Sequence, residues 1–178
     1  MAPSDDSLDI IRCDEVTPEQ AAFINRWSEA YFGEIVISED YAKAPVHWRL
    51  LLRDDDLMVS QVAITELQIE FDGKRLTVGA LGGLFTAEKV QGRGYASSLM
   101  DQAEAFIFDT LKFPMGILFC LPSLVPFYSR RKWTEITRPV SLAHKNGDQI
   151  WGAAVMILFP DKAQTGDHAI HVPHQPKG

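Results

Sequence analysis

No apolar run in these 178 residues approaches the ~18–20 positions that a membrane-spanning helix needs. Cysteine is scarce: Cys13 and Cys120 make neither a disulfide framework nor a zinc site. A basic excess is missing as well. Seventeen Lys and Arg against 24 Asp and Glu leave a net charge of −7, which speaks against nucleic acid as a partner. Residues 1–15 are acidic and lack the basic-then-apolar layout of a secretory leader, so a cytoplasmic location is expected and no membrane partner. What remains is an ordinary globular composition, 46% hydrophobic and 23% charged, long enough for one well-buried core. Residues 1–160 are expected to form a single domain, and the polar residues 161–178, with Pro and Gly, a mobile tail.

Along the chain, residues 8–13 form a short apolar run that suits a first strand. Thr17-Pro18-Glu19-Gln20 then reads as a helix start. Thr17 is a good N-cap, Pro18 suits the first helical position, and Gln20 can reach back in a capping box. Phe23, Ile24, Trp27, Ala30 and Tyr31 follow at helical spacing, and Gly33 is a natural stop. From Val46 the period changes to two, which signals a strand over 46–53. Residues 57–71 make a second long strand, and Asp72-Gly73 is a strong hairpin signal leading to a third, 76–85. Residues 92–111 read as an amphipathic helix, and 115–120 as a short buried strand. A short helix over 122–132, capped by Ser123, should follow. Two closing strands, 133–144 and 149–159, would flank the turn Lys145-Asn146-Gly147-Asp148.

The informative segment is Leu81-Gly82-Gly83-Leu84-Phe85-Thr86-Ala87-Glu88-Lys89-Val90-Gln91-Gly92-Arg93-Gly94-Tyr95-Ala96. A strand runs into a glycine-rich turn that opens a helix. Such a helix start presents backbone N–H groups and the positive end of the dipole, which together suit a phosphate. Gly92 and Gly94 leave no Cβ in the way, while Lys89 and Arg93 add positive charge. A Walker loop would need Gly-Lys-Ser/Thr after the glycines, and a Rossmann turn would follow the first strand of a parallel sheet. Neither context is met.

Gln91-Gly92-Arg93-Gly94-Tyr95-Ala96 resembles the Gln/Arg-x-x-Gly-x-Gly/Ala signature of the GNAT superfamily of acyl-coenzyme A N-acyltransferases. Phe127-Tyr128-Ser129-Arg130-Arg131-Lys132-Trp133 is similar to that family's second landmark, aromatic-Tyr-x-x-x-Gly-aromatic. The resemblance implies an α/β (α+β) fold: a mixed, mostly antiparallel sheet flanked by helices, with two central strands splayed apart. It implies acetyl-CoA as donor, its pantetheine arm paired with backbone near Leu84, Phe85 and Thr86. The pyrophosphate is expected on Gln91, Gly92, Arg93, Gly94, Tyr95 and Ala96. Tyr128 matches the tyrosine that protonates the departing thiolate; a phenol with a reference pKa of ~10 is a donor at neutral pH. The acceptor is then a small-molecule amine, attacking the thioester directly while backbone N–H groups of the preceding strand polarise its carbonyl. No metal is implied, and a homodimer stays open.

Within the family the look is nearest to aminoglycoside 2′-N-acetyltransferases, with two departures. The acidic residue of their fourth strand falls on Gly82, and their helix-ending glycine on Lys132. The loss of the carboxylate also leaves a rival reading, a domain that binds acyl-CoA without turnover. Other residues admit plainer roles. Glu66 and Glu70 share one strand face and read as solvated, Glu66 being the better base candidate; Glu88 reads as a loop residue. No base is assigned. Cys120 reads as a small apolar filler rather than an acyl carrier. His168, His171 and His174 read as solvated rather than as ligands. Arg130, Arg131 and Lys132 suit either the 3′-phosphate of CoA or a solvated helix end.

Overall fold

The computed structural model describes residues 7–32 and 44–176, so Gly33 and most of the stretch after it lie outside the described residues. Those residues divide into two compact units. The first draws on the N-terminal segment with Val46–Thr65 and Leu81–Phe106; the second on Glu66–Ala80 and the chain from Ile107 onward.

In the first unit, helix α1 (Pro18–Phe32) begins as Thr17 and Gln20 predict. Thr17 Oγ1 accepts the Gln20 N–H at 3.3 Å, and Gln20 Oε1 accepts the Thr17 N–H at 2.9 Å. This reciprocal box satisfies two amides at the helix start, one inside the first turn and one on the cap itself. Strands β1 (Ser7–Arg12), β2 (Trp48–Asp54) and the first half of β3 (Leu57–Phe71) pair antiparallel. The register runs from Ser7↔Arg53 to Arg12↔Trp48, and from Trp48↔Ile64 to Asp54↔Leu57, with a slip between Leu52 and Arg53. Helix α2 (Tyr95–Ala105) lies against β2 and buries Leu99, Met100 and Ala103; Leu50, Val62 and Ile64 are buried with them. Each such Leu, Ile or Met side chain contributes roughly 1.5–3 kcal/mol by leaving water.

In the second unit the strand order is β6-β9-β5-β4-β3-β10-β7-β8. It uses the second half of β3 and the first half of β4 (Lys74–Thr86), with β5 (Gly116–Cys120), β6 (Thr134–Glu135), β7 (Ser141–Leu142), β8 (Gln149–Ile150), β9 (Ala154–Leu158) and β10 (Ile170–Val172). The sheet is mixed: β5 and β9 pair antiparallel, as do β3 and β10, while β10 and β7 run parallel. The hairpin turn sits where expected, with φ of 47° at Asp72 and 79° at Gly73, both left-handed as the tight primed turn requires. Leu67, Ile69, Val78, Met115, Ile117, Val155 and Ile157 form the heart of this unit's core.

Four expectations need correction. The helix expected over 92–111 is α-helical only from Tyr95 to Ala105, because Gly92 and Gly94 have positive φ, and the chain then widens into a π turn, Phe106–Thr110. Ile107 fills the space a Cβ on Gly79 would need, 2.9 Å away. The helix expected over 122–132 begins as a 3-10 turn, Pro122–Leu124, before α3 (Val125–Arg130), and neither start takes a side-chain cap, so Ser123 is not one. The two closing strands are four short ones: Pro139, without an N–H, separates β6 from β7, and Gly152 lies between β8 and β9. The segment expected as a mobile tail carries β10. Its entry is held at Asp72, whose carboxylate accepts the Ala169 N–H and pairs with His168 Nδ1, both at 2.8 Å. Those two bonds hold the Asp72 carboxyl below its ordinary range.

Candidate functional site

Within the first unit, Leu84, Phe85 and Thr86 close β4, a 3-10 turn follows at Glu88–Val90, and residues 91–94 lead into α2. The Phe85 ring packs against Phe23 and Tyr31 at 5.7 and 6.0 Å between centroids. Gln91 folds back on the strand end. Its Nε2 donates to the Thr86 carbonyl at 3.0 Å and to the Tyr31 hydroxyl at 2.6 Å, and that hydroxyl lies 3.3 Å from the same carbonyl. Tyr95 is buried, and its hydroxyl donates to the Asp54 carboxylate at the end of β2. The side chains of Phe85, Gln91 and Tyr95 are therefore engaged with the protein, and what these positions offer a ligand is main chain.

Gly92 and Gly94 take φ of 78° and 90°, and a Cβ on either would meet nothing within 4 Å. Backbone conformation, not crowding, calls for glycine there. Gly94 is the N-cap of α2 and, having no side chain, supplies no side-chain cap there. Lys89 and Arg93 are exposed beside it. An uncapped helix start, two open glycines and two cations suit a phosphate group.

In the second unit, Tyr128 lies on α3, 8% exposed, with Phe127 edge-on at 5.0 Å and Trp133 at 6.4 Å. Burial, with Cys120 as a second cause, pushes its phenol well above the usual value. The hydroxyl therefore stays protonated near neutral pH. Burial first, then Glu135, pushes the Cys120 thiol up to about 11, so it is un-ionised near neutrality and unsuited to an acyl-carrier role.

The turn after Tyr128 has the form of a glycine-ended helix without the glycine. Lys132 stands at φ 72°, the Trp133 N–H reaches the Tyr128 carbonyl at 3.2 Å, and the Lys132 N–H reaches the Ser129 carbonyl at 3.0 Å. A left-handed lysine costs about 1 kcal/mol relative to glycine. Lys132→Gly should therefore raise the unfolding free energy by up to about that amount in urea titration. An unchanged or lower midpoint would contradict the cap geometry.

The remaining candidates fall out plainly. Glu66 and Glu88 are exposed, and Glu70 lies 3.7 Å from Arg75. His168 binds Asp72, whereas His171 Nδ1 lies 2.8 Å from Ser141 Oγ and 3.8 Å from Asp148. Among the described residues no group of His, Cys, Asp and Glu is placed to hold a metal ion, and no helix is long and apolar enough to cross a membrane. Sequence reasoning missed two residues that bear on the loop, Ser60 and Gln61. Both are polar, fully buried and bonded to the end of β4. Their only signal was polarity inside the apolar run 57–64.

A β-strand feeding a glycine turn and a helix start without a side-chain cap, together with a mixed sheet, defines an α/β protein. Comparison makes that class specific. The acetyltransferase (GNAT) domain family matches residues 19–136, and the chain belongs to that family. No curated protein matches it. Among solved structures the fold is similar to Escherichia coli ElaA, at 13% identity over 86% of this chain and 99% of that one, TM-score 0.63. It is similar also to YhbS of E. coli, a GNAT family N-acetyltransferase in complex with CoA, at 17% identity over 94% and 89% of the two chains, TM-score 0.61. A conserved protein of Enterococcus faecalis V583, described as a probable N-acyltransferase, matches at 17% identity over 75% of this chain, TM-score 0.58; this chain spans 33% of that longer protein.

Proposed function

We propose that the protein transfers an acetyl group from acetyl-CoA to a primary amine of a small molecule. The observation that carries this reading is the uncapped start of α2 behind the open turn at Gly92 and Gly94, in a chain of the GNAT family. Acetyl-CoA supplies an acyl thioester when bound. The main chain from Gln91 to Ala96 holds its pyrophosphate, Arg93 adds charge, and the backbone at Leu84, Phe85 and Thr86 pairs with the pantetheine arm. The amine nitrogen forms a bond to the acyl carbon while the bond from carbon to sulfur breaks. Tyr128 gives its hydroxyl proton to the leaving sulfur, and water takes up the proton lost by the amine and returns one to the phenolate, which restores the starting state. A polycationic aminoglycoside is the narrower alternative for the acceptor; Gly82 stands where that subfamily carries its acid.

The test is amine-dependent release of free CoA thiol, with acetyl-CoA as donor and a panel running from simple primary amines to aminoglycosides. Thiol release that depends on one amine class supports acyl transfer and names the acceptor. CoA binding with no thiol release against any amine would overturn it in favour of a non-catalytic acyl-CoA-binding domain.

A further inference from the structure

Four buried residues among those described are polar or charged: Gln20, Ser60, Gln61 and Glu104. Gln20 caps a helix; Ser60 and Gln61 both hold the end of β4. They are neighbours on β3, so their side chains leave opposite faces of the strand. Gln61 Nε2 donates to the carbonyl of Gly83, and Ser60 Oγ donates to the carbonyl of Phe85 at 2.7 Å, with Thr86 Oγ1 at 3.0 Å. Both residues have 0% exposure, so a lost partner would leave a dry polar group. Gly83 is the left-handed kink of β4, φ 59°, and a Cβ there would lie 3.0 Å from Gln61 Nε2. Arg49 Nη1 donates to Gln61 Oε1 at 2.9 Å, which takes the carbonyl end of the amide and leaves the NH2 end for Gly83.

A peptide unit is planar and trans, so fixing one carbonyl fixes the N–H on its far side. Holding Gly83 C=O sets the direction of the Leu84 N–H, and holding Phe85 C=O sets that of Thr86. We propose that Ser60 and Gln61, the latter oriented by Arg49, are positioning residues for acyl transfer: they grip β4 from both faces and aim its amides at the thioester. This rests on the proposed function and adds two residues to it that touch neither substrate.

The test separates gripping from folding. Gln61→Glu keeps an acceptor for Arg49 but has no N–H for Gly83. Gln61→Met, apolar and of similar length, serves if the buried carboxylate prevents folding, and Ser60→Ala removes the other grip. In the folded variants kcat should fall about tenfold or more, with acetyl-CoA affinity by calorimetry little changed. In the 15N-labelled protein without ligand, the Leu84 amide resonance should move in both Gln61 variants while those of β1 stay in place. A kcat within twofold of wild type, an affinity loss that accounts for the whole effect, or an unmoved Leu84 resonance would overturn the proposal. If the wild type acetylates no amine, the functional reading fails separately, and the grip on Gly83 stands or falls on the Leu84 resonance.

Discussion

Tyr128→Phe should lower kcat about tenfold or more while leaving acetyl-CoA affinity nearly intact. The substitution removes one oxygen and keeps the ring, so the contacts with Phe127 and Trp133 survive. The main chain is held independently: the Tyr128 carbonyl accepts both the Arg131 and the Trp133 N–H, at 2.9 and 3.2 Å. What disappears is the hydroxyl proposed to protonate the leaving sulfur. The pH profile gives a second check. Burial raises the phenol above its ordinary value, so Tyr128 stays protonated as pH rises through ~10, the point where an unperturbed tyrosine would ionise. The wild-type kcat should therefore show no descending limb from this group between pH 7 and 10. Equal turnover in the phenylalanine variant would remove Tyr128 as the acid.

Gly166→Ala should be strongly destabilising. Its Cβ would stand 2.2 Å from the carbonyl oxygen of Glu135 and 3.3 Å from the Thr137 methyl, and a backbone oxygen has little room to give. The same glycine accepts the Thr137 N–H at 2.9 Å and the Thr137 hydroxyl at 3.1 Å, so any shift also strains two hydrogen bonds. A loss of about 3 kcal/mol is expected, or roughly 6–12 °C in Tm for a chain of this size. Gly152→Ala is the matched control: nothing lies within 4 Å of that Cβ, and the backbone is not left-handed. A Gly166→Ala midpoint equal to that of Gly152→Ala would mean that the segment 163–169 does not pack as described.

What could be read from the sequence is what local chemistry decides. Thr17 and Gln20 sit three residues apart and cap each other; Asp72-Gly73 makes the primed turn; Gly92 and Gly94 take positive φ. Each outcome depends on two to four neighbouring residues. The strands over 134–158 were harder, because Pro139 and Gly152 break the ladder inside segments whose apolar content looks continuous. β10 was harder still. Its surroundings are fixed by polar side chains from distant positions: Gln175 accepts the Gln68 N–H at 2.9 Å and donates to its carbonyl at 3.0 Å, as a neighbouring strand would. No hydrophobic period announces such pairing. For the candidate site, the motif could be read from the sequence but not where its side chains turn. Gln91 and Tyr95 turn their side chains to Tyr31, Thr86 and Asp54, contacts 41 to 60 residues apart for the hydroxyl partners. Ser60 and Gln61 were hidden because a polar pair within a strand looks like an ordinary solvent-facing break until its burial is known.

The most direct measurement is a calorimetric titration of CoA into the full chain, followed by the same titration with Gly94→Val. Wild type should bind CoA saturably at one site, and the variant should bind far more weakly, because a β-branched residue at φ 90° disturbs the helix start proposed to receive the pyrophosphate. Absence of CoA binding by the folded wild type would contradict both acyl transfer and acyl-CoA binding.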